Sequence, residues 1–171
     1  MSTLIKELPK GNLFLAVFVS GAVIIADTLV QHWVFSFLET ENALIITPFF
    51  RLVQVWNTGV SFGMFNELAY GQVVLSAFSL LVCMGLLWPL LKTKDRMHAV
   101  AYALIIGGGL GNILDRSIYG AVADYLDFHV LDYHWPAFNV TDSAVFIGVV
   151  ILLWATVKST PHKDITTISS K

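Results

Sequence analysis

The sequence contains one cysteine, Cys83, in 171 residues. A lone thiol excludes an internal disulfide framework and any multi-cysteine metal or iron–sulfur site, and it leaves Cys83 as a packing residue. Charge is scarce as well. Asp, Glu, Lys and Arg make up 13% of the chain, against roughly 25% in soluble domains, which excludes an ordinary soluble globule. The ten Lys and Arg form no basic stripe with interleaved aromatics, and the formal net charge is −2; nucleic acid is therefore not an expected partner. There is no internal repeat, no low-complexity tract and no linker long enough to divide the chain, so one domain over 1–171 is expected. Only the ends, before about Gly11 and after about Thr160, read as free to be disordered.

Apolar residues are abundant, at 56% of the chain, and their distribution sets the class. A bilayer core about 30 Å thick takes roughly 20 helical residues to cross. Four stretches are long enough, at about 13–38, 68–91, 97–114 and 136–157. Each reads as a helix, because in hydrocarbon every backbone N–H and C=O must find its partner within the segment. A cleavable signal peptide is the competing reading of the first stretch, since Lys6 and Lys10 precede it. The apolar run continues through Asp27 to Trp33, too long for a signal h-region, so it is expected to stay as a span.

Basic residues near span ends give the orientation. If the four spans alternate, Lys6, Lys10, Lys92, Lys94, Arg96, Lys158, Lys163 and Lys171 fall on one side and only Arg51 and Arg116 on the other. Both termini are expected in the cytoplasm. The outer segments, about 39–67 and 115–135, then carry Glu39, Glu41, Glu67, Asp115, Asp124, Asp127 and Asp132. In the first, Phe49 to Trp56 is rich in aromatic and β-branched residues, and Asn57-Thr58-Gly59 supplies a turn before Val60 to Phe62, which predicts a small hairpin. A second short strand is expected around Ala121 to Tyr125, after a turn at Tyr119-Gly120. Trp56, Tyr125, Phe128, Tyr133 and Trp135 are expected at headgroup depth as interfacial rings. The fold class is thus an all-α integral membrane protein of four transmembrane helices with a small extracytoplasmic antiparallel β element.

An ionised carboxylate at bilayer depth costs at least a few kcal/mol, so intramembrane acids need a reason. Asp27 and Asp142 stand out. Asn139 precedes Asp142 by three residues, on the same helical face, and either residue also fits a helix cap. Asp124 lies in an apolar context, Ala121-Val122-Ala123-Asp124-Tyr125-Leu126. If Asp124 meets Asp142, two adjacent carboxyls cannot both ionise easily, and one holds a proton. Such a pair supplies a base for water and an acid for a carbonyl, as in aspartic proteases. The glycines of Gly107-Gly108-Gly109-Leu110-Gly111 read as close helix packing. Asn112 and Arg116 share a face at the outer end of the third span. Arg116 fits two roles: an interface anchor paired with Asp115, or a fork for a lipid phosphate.

Asn57-Thr58-Gly59-Val60-Ser61-Phe62-Gly63, the run from Gly107 to Arg116, Val122-Ala123-Asp124, and Pro136-Ala137-Phe138-Asn139-Val140-Thr141-Asp142-Ser143 together resemble the lipoprotein (type II) signal peptidases of bacteria. The resemblance spans nearly the whole chain in order and spacing. It implies an aspartic endopeptidase of the cytoplasmic membrane, with its active site at the extracytoplasmic face, that removes the signal peptide from diacylglyceryl-modified prolipoproteins. By position it implies Asp124 and Asp142 as the catalytic pair, and Asn57, Gly59, Asn112, Arg116 and Asn139 as residues that shape the site or hold the lipid-modified substrate. Asp27, Gln31, Gly108 and Asp115 are read as structural support. The implied fold adds an extracytoplasmic β-cradle and a surface helix to four transmembrane helices. No metal or organic cofactor is implied, membrane lipid is a partner, and the cyclic peptide globomycin is the family's inhibitor.

Two departures stand out. Family members usually read Asp-Gln-x-Ser/Thr-Lys in the first helix, whereas this chain has Asp27-Thr28-Leu29-Val30-Gln31. Asp27 is then hydrogen-bonded to Gln31, paired elsewhere, or protonated. Thr141 replaces the usual alanine beside Asp142 and brings a hydroxyl close to the expected pair. Three further patterns have plainer readings. Gly59-Val60-Ser61-Phe62-Gly63 matches a nucleophile elbow without its α/β context. Asn139-Val140-Thr141 is a glycosylation triplet at the mouth of a membrane helix. Asp127, His129, Asp132 and His134 carry four metal-capable donors, read as a solvated interfacial loop. The functions that compete with a peptidase are a small transporter or lipid-handling protein with a polar relay through Asp27, Asp142 and Arg116, and an inactive paralogue that binds lipoproteins.

Overall fold

The computed structural model describes residues 10–38, 43–59 and 70–159. Four helices are long and apolar enough to cross a membrane: α1 (Lys10–Phe37), α2 (Gly71–Lys92), α3 (Arg96–Tyr119) and α4 (Val140–Ser159). Strands β1 (Ala43–Thr47) and β2 (Phe50–Asn57) follow α1; β3 (Val122–Val130) and β4 (Tyr133–His134) lie between α3 and α4. The surface helix implied by the resemblance is not among the described residues.

The helices are inverted relative to a soluble bundle. Phe14, Phe18, Phe78, Leu81, Phe146 and Trp154 are each more than 60% exposed, while Ala99, Ala101 and Ala103 are at 0%. Lipid tails solvate the large side chains as well as a protein core does, so close backbone approach through small residues is what holds the helices together. The central helix is α3, which packs on α1, α2 and α4. A Cβ added at Gly108 would run into the Thr141 carbonyl, so α4 approaches α3 as closely as only glycine permits. Two polar contacts add to this packing: Ser20 Oγ donates to Ala103 O at 2.8 Å, and Asn12 Nδ2 donates to Thr93 O at 3.1 Å.

The ends of α3 and α4 depart from the spans expected from hydropathy. Helix α3 continues past 114 to Tyr119, because Gly120 closes it in the left-handed region with φ 71° and the Asp115 carboxylate finds a partner on β3. Helix α4 begins at Val140 and not at 136, since Phe138 bridges to Leu126 and Asn139 supplies the cap. Apolar content alone does not mark either boundary.

The four strands form one antiparallel sheet in the order β1-β2-β3-β4. The expected hairpin partner of β2, Val60 to Phe62, lies outside the described residues. The partners of β2 are β1 before it and β3 far beyond it, with Leu52 opposite Leu126 and Asn57 opposite Val122. The strand expected at Ala121 to Tyr125 runs on to Val130. Leu52 and Tyr125 join Val34 and Leu38 of the α1 end in one apolar cluster, which seats the sheet on the bundle. Tyr125 is therefore no interfacial ring. It is 0% exposed, whereas Trp56, Phe128, Tyr133 and Trp135 are exposed as expected. The difference is strand parity: residues 123, 125 and 127 share one face of β3, and Tyr125 faces the helices.

Candidate active site

Asp124 lies on β3 opposite Val55 and is 1% exposed. Its neighbours are amides. Asn57, the last residue of β2, donates from Nδ2 to Asp124 Oδ2 at 2.9 Å, and Asn139 Nδ2 donates to Oδ1 at 3.2 Å. Backbone donors fix both orientations: Asn57 Oδ1 accepts the Gly59 N–H at 3.0 Å, and Asn139 Oδ1 accepts the Asp142 N–H at 2.8 Å. A backbone N–H can only donate, so each amide must turn its oxygen toward the backbone and its NH2 toward the carboxylate. Asn139 thus caps α4 and holds Asp124 at once; the two readings of that residue are compatible.

Asp142 stands in the first turn of α4, where its Oδ1 accepts from Asn112 Nδ2 of α3 at 2.8 Å. Asn139 Nδ2 is 3.4 Å from Asn112 Oδ1. The same Nδ2 also reaches Ala123 O at 3.3 Å and shares its two hydrogens among three acceptors. Polar contacts thus link Asp124 through Asn139 and Asn112 to Asp142. Burial first, and then the negative charge of Asp142, push the Asp124 carboxyl up to about 7; the Asn57 hydrogen bond and the Arg116 cation pull the other way. Thr141 fills the space beneath. Its Oγ1 is 2.8 Å from Asn112 Oδ1 and 2.7 Å from Asn139 Oδ1.

Arg116 lies one helical turn beyond Asn112, with Nη1 at 3.4 Å from Asn112 O. Its charge acts on both acids. Asp115 Oδ2 accepts the Ala123 N–H at 3.0 Å and so ties α3 to β3; its charge also acts on Arg116, and among the described residues the two form no direct ion pair. Among the described residues the buried Arg116 Nε has no hydrogen-bond partner. Arg116 also lines a cavity of about 350 Å³ with Gln72, Val73, Ser76, Leu80 and Ser117, a cationic group at the rim of an apolar slot.

Four residues after Asp27 stands Gln31 and not a lysine, and Gln31 is not among the partners of Asp27 Oδ1. That oxygen accepts from Tyr125 OH at 2.9 Å and from the backbone N–H groups of Val140 at 3.1 Å and Thr141 at 3.3 Å. A carboxylate from α1 thus sits on the N-terminus of α4, where unpaired N–H groups and the helix dipole favour negative charge. Pairing elsewhere is thus observed for Asp27 Oδ1. Gln31 is buried beside it.

The outer-loop donors are arranged otherwise. Asp127 accepts from Arg51 Nε at 2.6 Å and contacts His134 Nδ1 at 2.9 Å. Burial raises its carboxyl, but hydrogen bonds and charge from His134 and Arg51 together outweigh that and hold it below the ordinary value. The His129 and His134 rings lie 4.8 Å apart. Among the described residues no group of three or more His, Cys, Asp or Glu is placed to hold a metal. The remaining patterns add nothing. The Asn139 of the glycosylation triplet is 0% exposed, and most of the Gly59 to Gly63 run lies outside the described residues.

The family model described as Signal peptidase (SPase) II matches residues 19–158. The chain belongs to the signal peptidase II family. It is 41% identical over 136 residues to the lipoprotein signal peptidase of Thermodesulfovibrio yellowstonii, covering 80% of this chain and 90% of that one. It is 37% identical over 137 residues to that of Francisella tularensis subsp. mediasiatica, covering 78% and 85%, and 32% identical over 139 residues to that of Anaplasma phagocytophilum, covering 81% and 89%. A solved structure described as a bacterial membrane enzyme shares its fold, with a TM-score of 0.76 at 24% identity over 90% of this chain and 94% of that one. The chain is accordingly a multi-pass bacterial membrane protein and a protease by family.

Sequence reasoning named both acids and the three asparagines, but it missed Tyr125 as the partner of Asp27. Its signal was present: the hydroxyl of a tyrosine that strand parity turns inward needs a polar partner. No local signal linked Asp27 to α4.

Proposed function

We propose that this chain is an aspartic endopeptidase that cuts diacylglyceryl-modified prolipoproteins on the amino side of the lipidated cysteine, with Asp124 and Asp142 as the catalytic pair. The observation that carries the reading is the pair of asparagine amides, Asn139 and Asn112, that links Asp124 to Asp142. It holds two carboxyls in mutual electrostatic contact at the end of the bundle that carries the sheet. Such a pair shares one proton and titrates as a unit.

The ionised carboxyl takes a proton from water as the oxygen attacks the carbonyl before the lipidated cysteine, and the protonated carboxyl gives its proton to the carbonyl oxygen. The carboxyl that took the water proton then gives it to the leaving nitrogen as the tetrahedral intermediate collapses and the C–N bond breaks. The signal peptide leaves with a carboxylate, and the lipidated cysteine keeps a free amine. Amides of Asn57, Asn112 and Asn139 hold the acids in place before substrate arrives. The Arg116 guanidinium, beside its apolar slot, fixes the register of the lipid-bearing residue. A globomycin-type cyclic peptide competes for the same cleft, and no metal or organic cofactor takes part.

The site faces the extracytoplasmic side, with both termini in the cytoplasm. Lys92, Lys94, Arg96 and Lys158, all at helix ends away from the sheet, support that orientation through the bias of basic residues to cytoplasmic loops.

The test is cleavage of a lipidated prolipoprotein by purified chain, with and without a chelator. The unmodified chain cuts in both conditions, and Asp124→Asn and Asp142→Asn each stop cleavage while still accumulating in the membrane. Cleavage by either variant sinks the dyad. Loss of activity with chelator moves the chemistry to a metal, and an unmodified chain that binds without cutting is an inactive paralogue.

A further inference from the structure

Three asparagine amides donate to the two acids, and each must be kept from flipping. Asn57 and Asn139 are oriented by backbone N–H groups, those of Gly59 and Asp142. Among the described residues the one short contact to Asn112 Oδ1 is a hydroxyl: Thr141 Oγ1, at 2.8 Å. We propose that Thr141 is a positioning residue that fixes the Asn112 amide, and through it Asp142, in the orientation cleavage requires. The inference rests on the dyad reading above.

Proton bookkeeping at the hydroxyl supports it. Thr141 Oγ1 lies between two amide oxygens and has one hydrogen to give. Asn139 Oδ1 already receives the Asp142 N–H at 2.8 Å, whereas Asn112 Oδ1 receives only the 3.4 Å contact from Asn139 Nδ2. Asn139 Oδ1 has a second lone pair and lies at 2.7 Å, so the hydroxyl can serve either oxygen. At Asn112 Oδ1 its hydrogen supplies a short donor where Asn139 Oδ1 already has one, and it leaves the Asn112 NH2 facing Asp142.

Two features keep the hydroxyl pointed that way. A Cβ at Gly111 would collide with Thr141 Cγ2, so α3 is open at that point to receive the methyl, and the methyl in that notch selects the side-chain rotamer. Asp27 accepts the Thr141 N–H and holds the backbone. Thr141 itself is 0% exposed, so solvent cannot replace its hydroxyl.

The experiment compares kcat and KM for a lipidated prolipoprotein across variants that separate the hydroxyl from the methyl. Thr141→Val keeps the wedge and removes the donor; kcat is expected to fall about tenfold, with KM within about threefold. Thr141→Ser keeps the donor, and its kcat is expected to stay within about threefold. In an Asn112→Ala background, Thr141→Val is expected to cost less than about twofold more, because the group it acts through has gone. If Thr141→Val does not accumulate, Thr141→Ala takes its place with the same expectations. A kcat unchanged in the hydroxyl-free variant, a Ser variant that falls as far, or a full loss that persists without Asn112 overturns the inference. An unmodified chain that fails to cleave, or an Asp142→Asn variant that still cleaves, overturns the dyad instead.

Discussion

Asp124 and Asp127 stand three residues apart on β3, both buried, and their carboxyls move in opposite directions. Asp124 meets uncharged amides and a second acid, and it is pushed up to about 7. Asp127 meets Arg51 and His134 and is held below the ordinary value. An odd spacing on a strand puts them on opposite faces of the sheet: Asp124 meets Asn57 and the Asn139 cap of α4, and Asp127 pairs with Arg51 of β2 and His134 of β4. Burial acts on both acids in the same sense. Around Asp127 the hydrogen bonds and charge of His134 and Arg51 outweigh burial. Around Asp124 the second acid adds to burial, and the Asn57 bond and the Arg116 charge do not offset it, which leaves Asp124 poised to exchange a proton near neutral pH.

The strongest way to break this contrast is to neutralise each acid in turn. Asp124→Asn is expected to lower cleavage of a lipidated prolipoprotein at least about a thousandfold, while Asp127→Asn stays within about threefold. Equal losses would erase the functional difference between the faces. Next in size is Asn57→Ala, which removes a donor from the ionised Asp124. The acid limb of the kcat profile is expected to move to higher pH, by up to about one unit, with activity falling most below pH 7. Arg51→Ala, which touches only Asp127, is expected to leave that limb in place.

A third comparison uses stability. The depressed carboxyl of Asp127 contributes stability that is complete above the unfolded value of 3.8 and is lost as pH falls through its lower folded value. The raised carboxyl of Asp124 does the reverse: its contribution is present below 3.8 and is lost as pH rises through about 7. Thermal melts of Asp127→Asn in detergent should show a loss of about 1 kcal/mol at pH 7 that shrinks toward pH 3. The smallest effect is expected from Tyr125→Phe, on the face of β3 opposite Asp124. It removes one of three donors to Asp27 Oδ1, costs about 1 kcal/mol, and leaves kcat within about threefold.

Much of the site was visible along the chain because intramembrane acids are rare enough to be informative one by one. Asp124, Asp142, Asn112 and Asn139 could all be named, and a resemblance spread over four blocks tied them together. What could not be read was which group partners which. The cap on α4 comes partly from Asn139, next to it, and partly from Asp27, on a helix at the other end of the chain. Helix boundaries failed for a related reason: Asp115 ends an apolar run, yet it continues α3, because Ala123 supplies the donor that water would otherwise provide. Tyr125 was misplaced at the interface because ring chemistry fits both a headgroup and a buried carboxylate.

Composition and the spacing of apolar runs by themselves determined that this chain crosses a membrane four times, since the cost of a bare backbone in hydrocarbon acts on each segment separately. Tertiary structure alone decided that Asp124 meets Asp142 through Asn139 and Asn112, that Asp27 covers the start of α4, and that Thr141 is wedged beneath the bridge. Those contacts depend on side chains a few ångströms apart in space and far apart along the chain, and a pattern read along one segment carries no information about them.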